Sequence, residues 1–163
     1  CKACNVKLIK KFKKMGFTWA KEKEEAFGFA YVGKDSPECR ETFAYYVNLG
    51  LDINYIDQPD DETYLCKVVI SSSLATVKKL VELGANFEAS CNPFWLVAEK
   101  RHRFRNYNKY NSYSRRIRKE KYLRATAIEK YLYKLLESFP KKKRKALWKK
   151  FEIKKVLKYY PRD

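Results

Sequence analysis

The chain has 163 residues, 45% hydrophobic and 16% aromatic, enough apolar surface for one packed core. Its apolar runs are a handful of residues long, far short of the roughly 20 that a membrane-spanning helix requires, so a soluble protein is expected. The formal net charge of +18 is unevenly spread: residues 1–100 hold 14 Lys and Arg against 14 Asp and Glu, whereas 101–163 hold 23 against 5. That asymmetry predicts a neutral scaffold with a basic attachment for an anionic partner, whether nucleic acid, an acidic protein face or a membrane surface.

In chain order, the sequence opens on Cys1 rather than Met and is read as a fragment or processed form, so no targeting peptide is inferred. Cys1 and Cys4 have ligand-like spacing. A structural zinc site needs four donors, however, no second CxxC follows, and the one histidine, His102, lies in a basic stretch. The five cysteines (Cys1, Cys4, Cys39, Cys66, Cys91) are odd in number and scattered, a poor fit to a disulfide framework. They are read as incidental residues of an intracellular, reducing compartment, with nucleus, cytoplasm and organelle matrix all open. No metal and no cofactor is expected.

An amphipathic helix is predicted from Val6 to Met15, closed by Gly16. Glu25 to Ala30 opens a second helix, the turn VGKDSPE follows, and a third helix runs to Leu49 and Gly50. The acidic loop DQPDDE then leads into Thr63 to Ala85, where Val77, Leu80, Val81 and Leu83 recur at helical spacing ahead of Gly84. Gly16, Gly50 and Gly84 are 34 residues apart in both intervals. A glycine just after an apolar helix is the expected stop, because it accepts a left-handed backbone at no steric cost. A fixed period of this size is the signature of stacked repeats.

The segment TYLCKVVISSSLATVKKLVELGA names a family. Thr63, Leu65 and Cys66 fall at the Thr, Leu and His positions of TPLHxA, Val68 at its Ala, and Val77 to Gly84 on VVKLLLExG. It resembles an ankyrin repeat, with Tyr64 in place of the proline and Cys66 in place of the histidine whose hydrogen bonds tie neighbouring repeats. Asn92 to Val97 resembles another such opening with its proline retained, and its second helix resumes only at ATAIEKYLYKLLESF, which ends at Phe139-Pro140. The resemblance covers about residues 5–139 and implies an all-α, ankyrin-like helix-turn-helix solenoid of about three and a half repeats, a domain of residues 1–139 with an insertion at 101–124. It also implies a protein partner held by hairpin tips and the concave face, through Gln58, Asp60, Asp61, Tyr64, Lys67 and Ser71. Ordinary exposed turn residues are the alternative reading of the acidic loop.

Within the insertion, Arg101, Arg103, Arg105, Arg115, Arg116 and Arg118 alternate with Tyr107, Tyr110 and Tyr113. Guanidinium groups grip phosphate oxygens and aromatic rings stack on bases, a combination that favours RNA or single strands. With little apolar content the insertion is expected to be a protruding or partner-ordered loop, the alternative being a merely solvated one. Residues 140–163 form a basic helical extension. Lys141, Lys142, Lys143, Arg144 and Lys145 suit phosphate contact, a solvated helix face or a nuclear import signal. The later apolar residues fall in two groups, Leu147, Trp148 and Phe151, then Ile153, Val156, Leu157 and Tyr160, on roughly opposite sides. A bend or contacts on both sides follow; the broken stripe argues against membrane-surface or calmodulin binding.

No phosphate-cradling glycine loop and no GxSxG motif occurs, and a serine or cysteine nucleophile has no evident base, so no catalytic residue is expected. Two functions fit: a non-enzymatic scaffold for protein partners with a basic tail, or an RNA-contacting structural subunit of a ribonucleoprotein such as an organellar ribosome.

Overall fold

A computed structural model describes residues 6–16, 36–57, 62–71, 73–86, 88 and 91–161. These residues are mostly helical. In chain order the helices are α1 (Val6–Lys14), α2 (Pro37–Asn48), α3 (Tyr64–Ser71), α4 (Leu74–Glu82), α5 (Pro93–Arg105), α6 (Ser112–Ser138), α7 (Lys141–Lys150) and α8 (Ile153–Tyr159). A 3₁₀ turn, Tyr107–Lys109, joins α5 to α6. The exception to helix is one antiparallel strand pair, β1 (Ile56–Asp57) and β2 (Glu62–Thr63), with Ile56 opposite Thr63. The segment Glu25 to Glu38, expected to hold a helix and a turn, lies outside the described residues up to Asp35.

Local chemistry explains where the helices begin. Ser36 caps α2, its hydroxyl accepting from the Cys39 amide at 3.3 Å, and Pro37 supplies a first helical residue that needs no amide partner. Asn92 caps α5 by accepting from Phe94 and Trp95, while its amide group donates to the Phe151 carbonyl at 2.7 Å. Asn111 caps α6 through the Ser114 amide.

The ends of α2 and α4 are the same structure written twice, 34 residues apart. Gly50 and Gly84 take φ of 87° and 96°, which only glycine enters cheaply. Gly50 N donates to the Val47 carbonyl and Leu51 N to the Tyr46 carbonyl; Gly84 N and Ala85 N repeat this with Val81 and Leu80. These paired bonds satisfy the last carbonyls of each helix. Two residues on, Asp52 accepts from the Asn54 amide, and at the same offset Asn86 accepts from the Glu88 amide. Asn54 then joins the two turns: its side-chain oxygen accepts from the Asn86 amide at 2.7 Å and its nitrogen donates to the Gly84 carbonyl at 3.4 Å.

Packing follows the chain. Helix α2 contacts α4 and α4 contacts α6, while α3 contacts α5 and α5 contacts α8. One core runs through these helices, from Phe43 and Tyr46 through Leu65, Val68, Val69, Val77 and Leu80 to Phe94, Ile128, Leu132 and Leu136. It continues into Leu147, Phe151 and Ile153. The expected bend in the last segment is present: α7 and α8 meet at Phe151 and Glu152, and Glu152 has a φ of 47°. The turn lets Leu147 and Phe151 on one side and Ile153 and Val156 on the other all be buried, so both apolar groups reach the core.

Two expectations are corrected here. The segment 101–124 is not a loop: α5 runs on to Arg105 and α6 starts at Ser112, so all but a short connection is helical. Its Arg, Lys and Glu residues are good helix formers, and packing of α6 against α5 supplies the rest. The cysteines are not all incidental either. Cys66, in the first turn of α3, is joined by a disulfide to Cys91, just before α5, and Cys39 is disulfide-bonded too. Contact between α3 and α5 brings the Cys66 and Cys91 Cα atoms to 6.3 Å across 25 residues of sequence. Disulfides persist in oxidising surroundings, so the cysteine argument for a reducing compartment loses its basis.

Candidate nucleic-acid interface

The basic hairpin formed by the end of α5, the 3₁₀ turn and the start of α6 gathers most of the residues expected to touch nucleic acid. The Arg118 guanidinium lies 3.8 Å from the centre of the Tyr110 ring and 5.8 Å from that of Phe104. Such stacking on the ring quadrupole holds a cation in place without neutralising it. Arg115 donates to the Tyr110 carbonyl at 3.2 and 3.3 Å, closing the turn from the other side. Tyr107 meets Tyr122 with ring centres 5.8 Å apart. Tyr113 is 75% exposed, a free aromatic face beside these cations. Arg116, on the outer face of α6, has a weak 3.6 Å pairing with Glu120, and Arg103 is bonded to Glu99 at 2.9 Å. Arg105 ends α5 in an exposed position.

Arg101 does not belong to this surface. It is 2% exposed, its Nε donates to the Glu129 carboxylate at 2.6 Å, and its Nη2 donates to the carbonyls of Tyr160 and Pro161. It fastens α5 to α6 and to the end of α8, a structural position in place of the expected phosphate contact. Glu129 lies on the buried face of α6 with Ala125, Ile128, Leu132 and Leu136. A carboxylate within an apolar stripe signals a buried partner, and that was the available clue.

The lysine-rich run sits apart from the hairpin. Helix α6 is 27 residues long, about 40 Å, and separates Lys141–Lys145 from the Arg/Tyr tip at its other end. Lys141, Lys142 and Lys145 are exposed, Lys143 pairs with Glu88 at 3.1 Å, and Arg144 donates to the Glu137 carbonyl. They form a second basic surface.

Of the residues expected to bind protein, Gln58, Asp60 and Asp61 lie outside the described residues, although the β1–β2 pairing on either side gives the acidic loop its hairpin stem. Tyr64 is corrected: it is 3% exposed and part of the core, because the first turn of α3 packs inward. Lys67 is half-buried, and Ser71 is exposed with its hydroxyl donating to the Lys67 carbonyl at 2.7 Å.

A group the sequence did not single out is Lys100, on α5. Its ammonium donates to the Ile70 carbonyl at the end of α3. Burial strips water from that ammonium, and Lys121 and Arg124 repel it, which together lower its pKa to about 8. Nothing in the local pattern marks it, because the three cations come from two helices joined by a turn. Among the described residues, no group of three or more His, Cys, Asp or Glu is placed to hold a metal ion, and no helix is long and apolar enough to cross a membrane. Compared with family models, curated proteins and solved structures, the chain has no match.

Proposed function

We propose that the chain is a non-catalytic binding protein, an ankyrin-like repeat scaffold whose basic hairpin engages a phosphate-bearing polymer, single-stranded RNA above all. The observation that carries the reading is the hairpin tip. Arg118 is held on the Tyr110 ring, Arg115 braces the turn, and Tyr113 stands open beside exposed Arg116. A helical platform that fixes cations and an aromatic face in advance loses little entropy when a strand settles on it. The scaffold half is supported by the twin helix closures at Gly50 and Gly84 and by the Asn54 link between their turns. The Cys66–Cys91 bond would then stand where the family uses histidine hydrogen bonds to tie neighbouring repeats. Placement of the chain in a ribonucleoprotein, with the repeats docked on protein around Lys67 and Ser71, is the most specific form of this reading.

The test is fluorescence anisotropy with a labelled single-stranded RNA and the corresponding duplex between 50 and 300 mM salt. Tighter binding of the single strand is expected, with a steep salt dependence. Replacing Arg116 and Lys119, both exposed on α6, by Gln leaves the Arg115 brace in place, removes up to two phosphate contacts and lowers the log–log salt slope by about 1.4, at roughly 0.7 per contact. An unchanged slope, or no binding at 50 mM salt, refutes the reading. Retention of a protein partner at high salt with no nucleic acid carried along points to the scaffold function alone.

A further inference from the structure

A cavity of about 380 Å³ opens where the end of α3 meets α5 and α6. Its walls carry four cations, Lys100, Arg103, Lys121 and Arg124, against one carboxylate, Glu99. Glu99 is already engaged by Arg103 at 2.9 Å. Among the described residues no carboxylate pairs with Lys100, Lys121 or Arg124, and Lys100 is fixed in place by its bond to the Ile70 carbonyl. Lys121 lies 5.3 Å from the centre of the Phe104 ring, and Phe104, Leu96 and Ile70 give the cavity apolar lining beside its cations. The cavity therefore joins three cations that no carboxylate of the described residues pairs with to apolar lining suited to a flat organic group. Cavities of this size with a few convergent polar groups are typical of small-molecule sites.

We propose that this cavity is a binding site for a terminal phosphate monoester borne by a nucleotide, the phosphate held between Lys100, Lys121 and Arg124 and the nucleoside lying toward Phe104 and Leu96. Three uncompensated cations match a dianion with three terminal oxygens better than they match a carboxylate or the singly charged diester of an internal linkage. The site shares Arg103 and Phe104 with the basic hairpin but not Tyr110, Tyr113, Arg115, Arg116 or Arg118, and it stands whether or not the tip binds RNA. The phosphate has two sources, a free nucleotide or the end of a strand.

The charged state of Lys100 gives the site a pH window. The Lys100 ammonium is held by the Ile70 carbonyl from α3 and repelled by Lys121 and Arg124 from α6, with Ser71 of α3 and Glu99 and Arg103 of α5 lining the same cavity. Lys100 is protonated below about pH 8, and a bound dianion favours that protonated form. A monoester is a dianion above about pH 6. Affinity is thus greatest between these values and falls as the pH rises past 8.

Isothermal titration of the intact protein with adenosine 5′-monophosphate and with adenosine, at pH 7, tests the proposal. The monophosphate is expected to bind at least tenfold more tightly. A second arm compares one short oligonucleotide carrying a 5′-phosphate with the same strand ending in a 5′-hydroxyl. A preference in the first arm identifies the free nucleotide as a source, a preference in the second identifies a strand end, and either supports the shared chemistry. Arg124→Gln, an exposed change that leaves the core intact, and Lys100→Gln should each abolish the preference, whereas Lys78→Gln on α4 leaves it unchanged. Equal affinity for the phosphorylated and unphosphorylated probes in both arms, or a preference that survives both cavity substitutions, overturns it. Strand binding that persists without a terminal-phosphate preference rejects the cavity and spares the platform.

Discussion

Arg101→Met isolates the cost of breaking the one buried ion pair seen among the described residues. The side chains of Arg101 and Glu129 are 3% and 4% exposed and meet at 2.6 Å. Removing the cation breaks this 2.6 Å buried contact from one side only, a change that costs about 3–5 kcal/mol. For a chain of this length each kcal/mol moves the melting temperature by about 2–4 °C, so a fall of about 6–20 °C is expected. Replacing both partners, Arg101→Met with Glu129→Leu, removes the buried carboxylate as well and should recover most of the loss, leaving the double variant within about 1–2 kcal/mol of the parent. Urea unfolding followed by circular dichroism, arranged as a double-mutant cycle, measures both numbers. A loss below about 1 kcal/mol for Arg101→Met, or a double variant no more stable than the single one, refutes the buried-pair account. Because Arg101 is not on the binding surface, the double variant should keep the parental salt slope for RNA.

Two backbone substitutions have opposite signs. Gly84→Ala forces a side chain into a φ of 96° and should destabilise by about 1–2 kcal/mol, although a Cβ there meets nothing within 4 Å, so the penalty is conformational and not steric crowding. Glu152→Gly relieves a φ of 47° and should stabilise by up to about 1 kcal/mol, measured in the same urea titration. Replacing Cys66 and Cys91 by Ala removes a bond that closes a loop of 25 residues and leaves the Cys39 disulfide alone; it should lower stability by about 3.5 kcal/mol on the chain-entropy account, and an unchanged melting temperature counts against it.

Much of the helical framework was legible because its signals are local. The 34-residue glycine spacing marked the closures of α1, α2 and α4, and two opposed apolar groups implied the turn between α7 and α8 at Glu152. At the hairpin, low apolar content suggests a loop, whereas α6 takes its support from one buried stripe at Ala125–Leu136 and extends beyond it. A cap at Asn111 and a long run of good helix formers were the overlooked signs. Tyr64, Arg101 and the Cys66–Cys91 pair were placed wrongly for a different reason. Their surroundings are set by partners 25 or more residues away, or by which side of a helix turns inward, and neither is written in neighbouring residues. The cavity around Lys100 belongs to the same class, since it exists only once α3, α5 and α6 have met.

The length of α6 has an electrostatic consequence. Between Lys121, which borders the α3 contact, and Ser112 at its start, the helix advances about 14 Å. The ionic atmosphere at physiological salt decays over about 8 Å. Charges at the tip therefore answer to whatever approaches them and feel little of the balanced acids and bases around α2 to α4. In effect the hairpin holds its share of the positive charge on a boom, and a partner approaching that end senses the tip before it senses the body.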